Sequence, residues 1–210
     1  MPPSKKRPKK IYKPLSGRID RLELELPLTI GVLSDTHIFG GGGSRQLPED
    51  VLDLFRRFEV DLIVHGGDIV IRAVLDRLAT VAPTIAVHGN NEPIELWQSL
   101  PERIVLSIGA HRIGVVHGHG GASARATAKA AFDGPMDLVI YGHSHVPLIE
   151  EVDGVVYFNP GSPTDRRWSR HFGIGIIAID EQGIRPELIL FDAPAHLASI
   201  DPNQAPGADE

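Results

Sequence analysis

The chain has 210 residues, no cysteine, ten histidines, 42% apolar and 23% charged residues, and a formal net charge of −6. That size and balance describe one globular domain whose core needs no staples. The absent cysteine excludes a disulfide scaffold, a thiolate nucleophile, an iron–sulfur cluster and a Cys-ligated zinc site.

The net charge averages two unlike parts. Residues 1–21 carry eight basic side chains against Asp20 alone, and the remainder is strongly acidic. Residues 1–20 read as a disordered basic arm, 21–195 as the folded domain and 196–210 as a second tail. Pro2, Pro3, Pro8 and Pro14 break any amphipathic helix in the arm, and no apolar stretch follows its charges to make a secretory signal. With no run of about 18 apolar residues, no bilayer span is expected and a cytoplasmic protein is the default.

In chain order, residues 28–34 (LTIGVLS) form an apolar strand feeding a polar loop. Val51, Leu52, Leu54, Phe55 and Phe58 recur at helical spacing behind Pro48. Residues 61–68 (DLIVHGGD) read as a strand, 69–78 as a helix and 84–90 (TIAVHGN) as a third strand. These βα units predict a mostly parallel, buried sheet. Residues 103–118 read as two strands around a turn near Gly109, and 122–131 as an alanine-rich helix. Strands follow at 137–143, 147–152 and 155–159, the last two joined at Asp153-Gly154. Residues 174–180 and 184–190 form a closing hairpin. Parallel units followed by hairpins predict two sheets packed face to face with helices outside.

Ligands of open α/β sheets bind beyond the carboxyl ends of strands, and here those ends carry a pattern. The successive apolar runs are followed by Asp35-Thr36-His37, Gly67-Asp68, Gly89-Asn90, His117-Gly118-His119 and Gly142-His143-Ser144-His145. A lone Asp-x-His or His-x-His arises easily by chance; three such pairs at strand ends are a stronger signal. A spacing of two puts both side chains on one strand face or on two sides of a tight turn. Carboxylate, amide oxygen and imidazole together suit Mn, Fe, Zn, Co or Ni better than Ca or Mg. The set exceeds what one catalytic ion uses, whereas two ions about 3.5–4 Å apart sharing a carboxylate absorb it. Two such ions make the site locally positive on an acidic body, so metal-free protein should bind phosphate poorly.

Other residues carry two readings. His65 and His88, inside apolar strands, are core or supporting groups, and His111, His171 and His196 lie outside the pattern. Asn91 and Glu92 orient Asn90 or cap a helix. Gly40–Gly43 form a plain loop or a mobile lid. Arg166, Arg167 and Arg170 form a solvated run or recognise phosphate, and their spacing lets only some face the site. The arm is a dispensable tail, or makes weak nucleic-acid contact.

These motifs resemble the calcineurin-like metallophosphoesterase superfamily, whose ordered signature is D-x-H, G-D, G-N, H and G-H-x-H. The likeness spans roughly residues 29–165 and is greatest to the compact phosphodiesterase branch of bacteria and archaea, which shares the late N-P-G-S, here Asn159-Pro160-Gly161-Ser162. It implies an α/β fold, a four-layer α/β/β/α sandwich of two mixed sheets flanked by helices. It implies two divalent transition-metal ions, manganese first and Fe, Ni, Zn or Co as alternatives. Asp35, His37, Asp68 and His145 would hold one ion; Asp68, Asn90, His117 and His143 the other, with Asp68 bridging. A metal-bridging hydroxide would attack phosphorus in line, with Asp68 and Asn90 as catalytic residues and Asn90 touching a small phosphate ester or nucleotide. His119, outside that ligand set, is either a turn histidine that hydrogen-bonds nearby groups or a further catalytic residue that touches the phosphate. The implied activity is that of a phosphodiesterase; the alternatives are a catalytically silent interaction scaffold on the same fold and a nuclease. One departure stands out: many members have G-N-H where this chain has Gly89-Asn90-Asn91, and an amide cannot serve as a general acid.

Overall fold

The structure is a computed structural model, and it describes residues 21–40 and 45–202. The basic arm, most of the glycine run and the last eight residues lie outside the described residues. The elements in chain order are β1 (Arg21–Leu24), β2 (Leu28–Leu33), α1 (Glu49–Arg57), β3 (Leu62–His65), α2 (Arg72–Ala79), β4 (Thr84–Ala86), α3 (Ile94–Ser99), β5 (Arg103–Ile108), β6 (His111–Val116), α4 (Ala124–Ala130), β7 (Leu138–Ile140), β8 (Leu148–Val152), β9 (Val155–Asn159), β10 (Phe172–Asp180) and β11 (Gly183–Phe191), followed by a 3-10 helix (Pro194–Ser199).

One sheet has the order β11-β10-β2-β3-β4 and the other β1-β5-β6-β7-β9-β8. β2, β3 and β4 are parallel, in registers such as Ile30↔Leu62 and Ile63↔Thr84, and β10 returns antiparallel beside β2. Leu28, Ile30, Val32, Leu62 and Val64 pack against Ile104, Leu106, Ile113, Val115 and Phe158 in the core between the sheets. The outer face of the first sheet presents Leu33, Ile63 and Ile174 to Val51, Leu54 and Phe55 of α1 and Val74 and Leu78 of α2. Val139, Tyr141 and Tyr157 on the outer face of the second sheet meet Ala124 and Ala128 of α4. Strands apolar on both faces thus need cover on both, and the four layers follow: helices, sheet, sheet, helix.

Two short elements, β1 and α3, carry too few core residues to show in the sequence. Only Leu96 of α3 is buried, and β1 (RLEL) is four residues long. The second sheet is also less hairpin-built than its sequence implies. β5/β6 and β8/β9 pair antiparallel, but β6, β7 and β9 run parallel, with α4 crossing between β6 and β7. The boundary expected at residue 195 falls inside the 3-10 helix, where Leu197 is buried in the core around α1 and Arg57 donates to the carbonyl oxygens of Ala198 and Ile200. Among the described residues, no helix is long and apolar enough to cross a membrane.

Candidate metal centre

Parallel pairing places the carboxyl ends of β2, β3 and β4 on one rim, and those of β6, β7 and β9 on the rim facing it. The loops leaving those ends interlock. Asp35 N–H donates to the Gly67 carbonyl at 2.9 Å, and His37 N–H to that of Asp68 at 3.0 Å. Both oxygens of Asp35 accept from His143 N–H, at 3.1 and 2.9 Å, which joins the two sheets at the site. The late N-P-G-S segment fastens this junction. Ser162 Oγ donates to the Asp35 carbonyl at 2.7 Å, and Asn159 Nδ2 donates to the Gly142 carbonyl at 2.9 Å.

Two groups of three side chains result, Asp35/His37/His145 and Asp68/His117/His143, with the ligating atoms in each group within 4.8 Å of one another. Asp68 Oδ2 lies 3.3 Å from His117 Nε2 and 3.4 Å from His37 Nε2, so it faces both groups. His145 Nε2 is 3.4 Å from Asp35 Oδ1. All of these residues except half-buried His143 are buried.

The ring nitrogens are set for a cation. His117 Nδ1–H donates to the Gly66 carbonyl at 2.8 Å, which turns its Nε2 inward, buried and without a hydrogen-bond partner; His143 Nδ1 is likewise buried and unpartnered. His145 Nδ1–H donates to the Asp165 carbonyl, so its Nε2 presents a lone pair. That atom sits 3.1 Å from His37 Nε2, which accepts from Arg167 Nη2 at 3.4 Å. Two neutral imidazoles share at most one proton across this contact, and a cation bound there takes the lone pair of each. The residues therefore fit divalent cations bound through oxygen and nitrogen.

Electrostatics agree. Burial pushes the Asp35 carboxyl up to about 6, against the pull of His117. Burial also pushes Asp68 up, but the charge of the adjacent His117 and the hydrogen bond from Asn91 reverse this and hold it well below the usual carboxylate range. Burial pushes His117 down, yet Asp68 and Asp35 more than offset it and raise the imidazole to about 9. Without a metal, a proton on His117 balances the paired carboxylates. Burial lowers His145 to about 4 and also lowers His37, His119 and His143.

The backbone is unusual at the same places. Asp35, His37, Asp68, His143 and His145 all have φ between 44° and 65°, the left-handed region that few non-glycine residues adopt and that Asn, Asp and His tolerate best. Such residues persist only where the surroundings over-determine them, and they cluster at functional sites. Gly89 is required by close approach: a Cβ there would lie 2.8 Å from both the Asp68 backbone nitrogen and His117 Cδ2.

Not every expected residue reaches the centre in the same way. Asn90 is exposed, and its backbone N–H donates to Asp68 Oδ1 at 2.9 Å. His119 lies behind the second group, its ring centroid 5.5 Å from that of His117 and 6.4 Å from that of His143. His65 is a supporting group: burial holds it neutral, near 3. Its Nδ1 accepts from Gly67 N–H at 3.2 Å and its Nε2 donates to Thr36 Oγ1 at 3.2 Å. Glu92 ties two loops together by accepting from Ile69 N–H at 2.9 Å and Gly89 N–H at 2.8 Å.

Two residues with open roles in the sequence find specific partners. Asn91 Nδ2 donates to Asp68 Oδ2 at 2.7 Å, and Arg167 reaches His37. The arginine run after N-P-G-S was the available signal for Arg167. Its neighbour Arg166 turns away onto the Phe172 ring and the Arg170 carbonyl.

The family model for the calcineurin-like phosphoesterase superfamily domain matches residues 28–182, and the chain belongs to that superfamily. A "Probable metallophosphoesterase" of Methanothermobacter thermautotrophicus is 33% identical over 169 residues, covering 80% of this chain and 95% of the relative. A phosphodiesterase of Methanocaldococcus jannaschii is 30% identical over 148 residues, 64% of this chain and 83% of the relative. Among solved structures, a novel archaeal phosphodiesterase superposes with a TM-score of 0.61 at 28% identity, over 78% of this chain and all of that one. Entamoeba histolytica Vps29, solved in complex with zinc, superposes with a TM-score of 0.59 at 23% identity, over 79% of this chain and 100% of that one, a likeness of fold alone.

Proposed function

We propose that this chain is a binuclear metal-dependent phosphodiesterase. In this reading Asp35, His37, Asp68 and His145 hold one ion, and Asp68, Asn90, His117 and His143 the other. The observation that carries it is the placement of Asp68 Oδ2 within 3.4 Å of ring nitrogens from both groups. Manganese suits the mixed carboxylate and imidazole set. When bound, the ions supply nucleophile activation and neutralise charge on the phosphoryl oxygens.

The chain's own residues orient this chemistry. The Gly66 carbonyl fixes the His117 tautomer, and the N–H groups of Asn90 and Asn91 keep Asp68 ionised and aimed. Arg167 stands at the mouth beside His37, where its guanidinium can turn to a phosphoryl oxygen. Among the described residues the two nearest candidates are weak general acids: the Asn91 amide is committed to Asp68, and burial together with His117 lowers the His119 imidazole. The enzyme therefore favours esters with good leaving groups, and His119 acts by hydrogen bonding to substrate.

The relative and the structural neighbour described as phosphodiesterases support diester over monoester substrates. The test is hydrolysis of bis-p-nitrophenyl phosphate with Mn(II), with Asp68→Asn and His117→Ala as controls. Metal-independent turnover, or full activity in both variants, refutes the reading. Across aryl diesters the rate should rise steeply as leaving-group pKa falls; a flat plot under rate-limiting chemistry sinks the leaving-group argument.

A further inference from the structure

Beside the metal centre, on the far side of His119, lies an open cleft of about 330 Å³. Its walls are His119, Gly120 and Gly121 on one side and Ala126, Thr127 and Ala130 of α4 on the other. The cleft follows directly from the sequence. Ala126 and Ala130 stand one turn apart on the same face of α4, both exposed, and each stops at Cβ. Gly118 and Gly120, with φ of 97° and 89°, carry the chain around the rim without adding side chains. Leucine at the two helical positions would fill the space.

The chemistry of the lining narrows what fits. Its two charged residues, Glu102 and Arg103, pair with each other at 3.3 Å, and Arg103 also donates to the Ala131 carbonyl at 2.6 Å. The cleft therefore offers no free charge, and an uncharged occupant suits it. One polar atom awaits a partner: His119 Nδ1 is buried and makes no hydrogen bond. The imidazole also offers a ring face against which a planar group can stack. The volume falls at the lower end of the range for ligand pockets, about 300–1,000 Å³. His119 is shared between cleft and metal centre, lining the one and standing 5.5 Å and 6.4 Å, ring to ring, from His117 and His143 of the other.

The geometry points to this cleft as a binding site for the nucleoside portion of a nucleotide ester, with His119 as the hydrogen-bonding residue between base or sugar and the phosphate site. The inference rests on the reading of the centre as a phosphate site and assigns that site its substrate class. It makes the alanine-rich face of α4 a specificity determinant.

The test measures affinity, so it stands apart from turnover. Adenosine monophosphate and methyl phosphate are titrated calorimetrically into the full-length Mn(II)-loaded protein and into an Ala126→Leu/Ala130→Leu variant. Leucine is a good helix former at both positions, and equal melting temperatures check that the variant folds. The wild type is expected to bind the nucleotide at least about tenfold more tightly than methyl phosphate, and the variant to lose that preference while holding methyl phosphate as before. Saturation-transfer NMR should show contact to the base protons in the wild type alone. Equal affinities in the wild type, or the same preference kept in the filled variant, overturns the proposal. Absence of bis-p-nitrophenyl phosphate hydrolysis by the wild type would instead strike the phosphodiesterase reading and leave the binding result to judge the cleft.

Discussion

Glu92 touches no candidate ligand, yet its replacement should weaken the whole centre. Its carboxylate accepts from Ile69 N–H, one residue beyond Asp68, and from Gly89 N–H, one residue before Asn90. It therefore sets the distance between the loops after β3 and β4. Hydrogen bonds to a charged acceptor contribute about 1.5–3 kcal/mol each when well buried. Glu92 is half-buried, so water recovers part of each, and Glu92→Ala should destabilise the metal-free protein by about 2 kcal/mol. For a domain of this size that lowers the melting temperature by about 4–8 °C. Loss of a residue that orients ligands typically weakens metal binding by about 10–100-fold, so Mn(II) affinity should fall at least about tenfold. Glu92→Gln should lie between, because one oxygen still accepts while its amide meets the other N–H donor to donor. Thermal unfolding with a chelator present and calorimetric Mn(II) titration measure the two effects. A Glu92→Ala protein that melts within about 1 °C of the wild type and binds Mn(II) equally well refutes the reasoning.

Gly89→Ala should abolish Mn(II) binding at the Asp68 group, because the added methyl meets Asp68 Oδ1, the Asp68 backbone and His117 together; calorimetric titration reports the number of sites remaining. Stability of the metal-free protein should fall as pH rises. His117 binds its proton more tightly folded, at about 9, than at its ordinary 6.5. The stabilisation is full below 6.5 and lost through about 9, at most about 3 kcal/mol. Urea midpoints across that window should drop with chelator present and stay flat with saturating Mn(II). Arg167→Ala should raise the KM for diesters about tenfold with little change in Mn(II) affinity or melting temperature, since its side chain is 43% exposed; steady-state kinetics beside a metal titration separates the two.

How much of this was legible in the sequence depended on where each residue's role is decided. β2, β3 and β4 could be read because their side chains are buried on both faces and each strand runs into a polar loop. α1 could be read because Val51, Leu52, Leu54 and Phe55 repeat at helical spacing. β1 and α3 could not, since a four-residue strand and a helix burying one leucine leave no periodic trace. Sheet membership was also hidden: β10 joins β2 across more than 140 residues of chain, and only tertiary packing selects that partner. The candidate ligands were visible because each follows a strand end. Asn91 and Arg167 act through side-chain direction across loops, which a linear pattern does not encode.

The left-handed backbone at Asp35, His37, Asp68, His143 and His145 argues most directly for function over turn-making. Strained positions of this kind cost on the order of 1–3 kcal/mol each, and glycine would relieve the strain. Loops selected only to turn the chain would favour glycine there, the residue that bears no such strain. Glycine does stand beside these positions, at Gly67 and Gly142, but the strained residues themselves are aspartate and histidine. The fold bears that strain and offsets it with a dense set of ties: Ser162 to Asp35, Asn159 to Gly142, His143 to Asp35 and Glu92 to Gly89. These ties hold lone pairs and carboxylates at one point, where a proton on His117 relieves only part of their mutual repulsion. In the metal-free state the proton on His117 offsets part of this cost, and divalent cations at the two groups would offset the rest.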